Sequence, residues 1–130
     1  MHTAIQAVIK GTRENGGHTA SVSGHDVPVT GYMVGGYVNS LIFDASLIID
    51  GKHDDTVLRM IVKWVADNFV LATRFDTFLG GWIDTDENKV YIDLSRHFPY
   101  SESVSAVATA EFHDEIAIWD LAKGEEIRVK

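Results

Sequence analysis

The segment Val90-Tyr91-Ile92-Asp93-Leu94-Ser95 sorts its side chains by parity. In an extended chain Val90, Ile92 and Leu94 point one way, and Tyr91, Asp93 and Ser95 point the other. A strand with one aliphatic and one polar face belongs in an antiparallel sheet that is packed on one side and open on the other. Just upstream, Gly80-Gly81 introduces a second strand, Trp82-Ile83-Asp84, and the polar run Asp84-Thr85-Asp86-Glu87-Asn88-Lys89 forms the turn between the two. A hairpin is therefore the expected centre of the fold.

The flanking segments supply its cover. Leu58, Ile61, Val62, Val65 and Phe69 recur at helical spacing, which predicts a helix over 56–68 with Asp54 or Asp55 as its cap. A second helix is expected from Ser101 to Phe112, with Glu102 in its first turn and Val104, Val107, Ala108 and Phe112 facing inward. Residues 3–13 fit either a helix capped by Thr3 or a strand alternating through Ile5, Ala7 and Ile9. Residues 18–22 and 27–34 read as two strands joined across Ser23-Gly24-His25-Asp26. Residues 37–43, 46–49, 116–119 and 126–129 read as further strands. Hairpins and helices without regular βαβ alternation indicate the α+β class. The expectation is a single domain over 1–130, an antiparallel sheet covered by two helices.

The 130 residues suffice for one core without staples, and there is no cysteine to form a disulfide or a thiolate zinc site. The N-terminal stretch lacks the basic start and apolar run of a signal peptide, and no apolar run reaches membrane-spanning length. A cytoplasmic protein without membrane association is expected. The net charge of -8 opposes direct nucleic-acid binding. It serves solubility, or it matches a partner with a basic surface.

No residue set has the spacing of a known catalytic or metal centre. Asp93, Ser95 and His97 are the ingredients of a nucleophilic triad, but they crowd one strand and lack the Gly-x-Ser-x-Gly elbow. Of the six histidines, none forms a His-Glu-x-x-His pair. Asp50, His53, Asp54 and Asp55 are the densest ligand-like group, and helix capping accounts for the aspartates more simply. The glycine pairs are not phosphate loops. No cofactor and no metal are expected. The richest polar and aromatic set is Trp82, Asp84, Tyr91, Asp93, Arg96 and His97, since aromatics and arginine are the common anchors of interfaces. An ordinary solvated sheet face would show the same alternation.

The order Gly16-Gly17-x-Thr19, Gly31-Tyr32-Met33-Val34, Gly80-Gly81-Trp82-x-Asp84, Val90 to Arg96, Ala117-Ile118-Trp119-Asp120 and Glu126-Ile127 resembles small uncharacterised proteins of actinobacterial phages and prophages. The resemblance spans nearly the whole chain and carries no known chemistry. It implies an accessory protein of a mobile element, and such proteins often bind or inhibit host machinery, defence systems included. The expected function is non-enzymatic binding of a host nucleic-acid-handling protein by a monomer or homodimer. The alternative is a small ligand-binding or enzymatic domain with a pocket near Asp93, Arg96 and His97.

Overall fold

In a computed structural model describing residues 1–130, the first element is a helix, α1 (His2–Asn15). Ile5, Val8 and Ile9 lie buried along one face, each worth roughly 1.5–3 kcal/mol. The helical alternative for this segment is thus the one adopted. Thr3 lies inside the helix and is not its cap, and Gly16 ends it in the left-handed conformation at φ 79°.

Three short strands follow, β1 (Gly17–Ala20), β2 (Tyr32–Val34) and β3 (Leu41–Asp44). β1 and β2 do not pair with each other, so the hairpin expected over 18–34 is absent. Residues 46–49, expected as strand, form one helical turn, α2 (Ser46–Ile49). Asp44 accepts the Ser46 N–H at 2.9 Å, and this local bond turns the chain where β-branched residues alone would extend it.

The amphipathic helix is α3 (Asp54–Asp67), with Val57, Ile61 and Val65 buried. Asp54 and Asp55 sit in its first turn and not at the cap, which is His53. There they complement the helix dipole, and Asp54 pairs with Arg13 of α1. Phe69 lies beyond the helix end, in the short α4 (Phe69–Ala72), and is 56% exposed. It does not continue the apolar stripe.

The central hairpin is longer than its sequence signal. β4 (Thr77–Asp84) and β5 (Lys89–Phe98) pair over Thr77↔Arg96 to Asp84↔Lys89. Gly80-Gly81 lies within β4 and does not precede it. Gly81 is where α1 lands: a Cβ there would lie 2.5 Å from Thr12 Oγ1 and 2.9 Å from Val8 Cγ1. A 3-10 turn at Tyr100–Glu102 leads into α5 (Ser103–Phe112), followed by β6 (Ala117–Asp120) and β7 (Glu125–Arg128).

All pairings are antiparallel, in the order β1-β4-β5-β2-β6-β7, with β3 pairing the first half of β5 and β2 its second half. The α+β class holds; α1 packs directly on β1 and β4, α5 packs on β2 and β6, and α3 lies mainly against α1. One core of fifteen buried residues joins α1, α2 and α3 to Leu79, Val90, Ile92 and Leu94. A second core of five, Val34, Phe98, Ala106, Ala110 and Ile118, sits under α5. The inward face of α5 is therefore Ala106 and Ala110, with Val107 packed partly against the same core, while Ala108, expected inward, is exposed. Val104 and Phe112 are 82% and 86% exposed, opposite to expectation. The small side chains let the helix approach β2 and β6 closely. No helix is long and apolar enough to cross a membrane.

Candidate functional site

The helices occupy one face of the sheet, and the other face is concave. Register places Trp82 beside Tyr91, Gly80 beside Asp93 and Phe78 beside Ser95 on that open face. Met33 of β2 and Trp119 of β6 pair side by side and continue it, and Trp119 lies opposite Glu126 of β7. A cavity of about 550 Å³ runs across these strands, from Gly17 and Thr19 of β1 to Trp119 and Glu126. A second, of about 380 Å³, adjoins it towards Gly35, Gly36, Ser40 and Glu115. The two share Met33, Trp82, Asp93, Ser95, Trp119 and Glu126 as walls. No helix residue lines either one.

The sequence of each wall explains its shape. Gly80 leaves the floor open, since a Cβ there would meet nothing closer than 3.9 Å. Gly36 has φ 88°, and a Cβ on it would lie 2.6 Å from Glu115 Oε1. Glycine at that position admits both the turn and the carboxylate. Trp82 and Tyr91 stack with centroids 4.6 Å apart and planes at 12°, so each ring covers one face of the other. Trp82 is 45% and Trp119 42% exposed, an unusual amount of indole surface for solvent to wet.

The electrostatics of the groove are one-sided. Asp93, Glu115 and Glu126 line it, and no lysine or arginine does. Asp93 accepts a hydrogen bond from Ser40. Partial burial raises the Tyr91 phenol above its ordinary value of 10.0, and the negative charge of Glu87, which accepts its hydrogen bond at 3.2 Å, adds to the shift. No three His, Asp or Glu side chains converge as metal ligands.

The six residues singled out in the sequence part company here. Trp82, Tyr91 and Asp93 line the groove. Asp84 instead accepts the N–H groups of Asp86 at 3.0 Å and Glu87 at 3.2 Å, holding the β4–β5 turn. Arg96 alternates onto the helix-covered side with Leu94 and Phe98. Its Nε donates to Asp76 at 2.7 Å, and its guanidinium lies 5.1 Å from the Phe98 ring centroid. His97 is held by the β1–β2 loop, with Nε2 2.8 Å from the Thr30 carbonyl oxygen. Asp93, Arg96 and His97 therefore do not converge, and Asp93, Ser95 and His97 form no relay.

Sequence reasoning missed Trp119, Met33, Glu115 and Glu126. Trp119 carried a usable signal, because it alternates with Ile118 and Asp120 as Tyr91 does with Ile92. The two glutamates carried none, since their place depends on how β7 pairs with β6 and on how the 113–116 turn reaches Gly35 and Gly36. Set against known protein families, curated proteins and solved structures, the chain matches none of them.

Proposed function

We propose that this chain is a non-enzymatic interaction protein that receives a positively charged segment of another protein in the concave face of its sheet. The observation that carries this reading is the groove itself, open, walled by Trp82 and Trp119, and charged only by carboxylates. Exposed aromatic side chains supply apolar contact area, and the carboxylates supply long-range attraction and register. Proteins that handle nucleic acid present basic surfaces of this kind, and they are the partner class we favour. The proposal includes a role as a phage or prophage accessory protein acting on such a host protein. A catalytic centre at Asp93, Arg96 and His97 is not proposed, because their side chains serve three separate structural bonds.

The test is titration of the isotopically labelled protein with a peptide of mixed lysine and arginine, followed by amide shifts. The expected result is a set of shifted residues confined to β4, β5, β2 and β6 around Gly80, Asp93 and Trp119, with affinity falling as salt rises. Gly80→Leu, which fills the floor without touching the core, is expected to abolish the shifts. Shifts scattered over the surface, or unchanged in Gly80→Leu, would overturn the proposal.

A further inference from the structure

The groove carries more information than its sign. Its carboxylates are unspent: neither Glu115 nor Glu126 takes part in any side-chain hydrogen bond or ion pair of the chain, whereas Asp44, Asp54, Asp67, Asp76 and Asp114 are all paired with a cation elsewhere. Asp93 has one oxygen, Oδ1, occupied by Ser40, which leaves Oδ2 for a ligand. Beside these acceptors, in the lining of the smaller cavity, lie Trp82, stacked by one face on Tyr91, and a second indole, Trp119. The groove thus offers a planar π surface next to acceptors that lack donors.

We infer that the occupant's recognised group is an arginine side chain, its guanidinium lying on an indole face and donating N–H bonds to Asp93, Glu115 or Glu126. This inference rests on the basic-partner reading above and narrows it. Three cations fit an acidic aromatic groove, and their chemistry separates them. A lysine ammonium is a compact, strongly hydrated charge that gains little from a flat wall. A quaternary ammonium suits the aromatic faces but has no N–H for the carboxylates. Guanidinium is planar, weakly hydrated and rich in donors, so it satisfies wall and acceptors together. The adjoining cavities, of about 550 Å³ and about 380 Å³, each fall in the range of pockets that take a drug-sized group, so a long side chain with its flanking backbone fits.

The experiment uses the full chain with Trp64→Phe, so that fluorescence reports only Trp82 and Trp119. Trp64 sits on α3, bonded to the Asn39 carbonyl oxygen, and is not in the lining. Four capped pentapeptides, Gly-Gly-X-Gly-Gly, are titrated to millimolar concentration, with X as arginine, lysine, trimethyllysine or citrulline. The arginine peptide is expected to perturb the emission and to bind about tenfold more tightly than the lysine peptide. Citrulline keeps the planar shape without the charge and is expected not to bind. Glu126→Gln and Trp82→Ala are each expected to weaken the arginine peptide severalfold, with folding checked by circular dichroism. Equal affinity for arginine and lysine, or a preference for trimethyllysine, overturns the arginine inference and leaves the basic-partner reading standing. Absence of binding by every cationic peptide, together with a failed mixed-peptide titration, overturns both.

Discussion

Gly80 and Gly81 are neighbours in sequence and do opposite work. Gly81 faces the helices, where a Cβ would collide with Thr12, Val8 and, at 3.2 Å, Ile92 Cδ1. Thr12 and Val8 are fully buried, so the strand and helix have to part to admit a methyl group. Gly81→Ala is expected to lower stability by about 1–3 kcal/mol, the usual cost of overpacking. Gly80→Ala meets open space and is expected to be neutral or slightly stabilising, because alanine narrows the unfolded ensemble. Chemical denaturation of the two variants side by side checks the contrast. Equal losses would mean that the sheet does not present these faces as described. The dipeptide is legible in sequence only as a pair of glycines. Which residue serves packing and which serves the groove follows from a parity that register alone sets.

At the level of elements, the ends of β4 and β5 are joined through Asp76. It accepts from Arg74 at 3.1 Å and from Arg96 at 2.7 Å, while its carbonyl oxygen accepts the His97 N–H at 2.7 Å. Burial works to raise the Asp76 pKa, but the hydrogen bonds and charges of the two guanidinium groups outweigh it, and the value lies below the ordinary 3.8. A carboxylate whose pKa is depressed by folding stabilises the protein fully above its unfolded pKa. That contribution is lost as pH falls through the depressed value. Asp76→Asn is expected to cost about 1–2 kcal/mol at neutral pH, allowing for screening of the partly exposed guanidinium groups. The gap from wild type is expected to close as pH drops from about 6 to about 2. Denaturant midpoints across that range decide it, and a constant gap would assign the loss to something other than charge. The same pair explains why Arg96 was misplaced by its sequence context. It adjoins the polar face of β5, but its parity is that of Leu94.

On the scale of the whole molecule, the sheet spans two cores of unequal size. The larger holds fifteen buried residues from α1, α2, α3 and the central strands, and the smaller holds five beneath α5. The hairpin β6–β7 depends on the smaller core and on Asp120, which accepts the Tyr100 hydroxyl at 2.5 Å and the Lys123 N–H at 3.1 Å. Local stability follows buried apolar contact. Amides of α5, β6 and β7 are expected to exchange with deuterium at lower opening free energy than those of α1, β4 and β5. Uniform protection across both regions would show that the cores unfold as one unit. The groove lies across the boundary between them, with Trp119 and Glu126 on the side expected to open more readily and Trp82 and Asp93 on the other.

The sequence by itself determined the elements whose signal is local. The alternation of Val90 to Ser95 specified a strand with one open face, and the spacing of Leu58, Ile61 and Val65 specified α3. Absence of cysteine and the charge of -8 were equally plain. Segments with weak or mixed periodicity were decided by tertiary contact. Residues 3–13 became a helix because Ile5, Val8 and Ile9 bury together against the sheet. The face of α5 was decided by where Ala106 and Ala110 meet the sheet, which leaves Val107 partly packed and Val104 and Phe112 exposed. The groove belongs wholly to this second kind. Its walls come from six strands that meet only when the sheet curls, and Trp82, Asp93, Trp119 and Glu126 share no sequence spacing. Strand periodicity states which way a side chain points, and only pairing and curvature state what it points at.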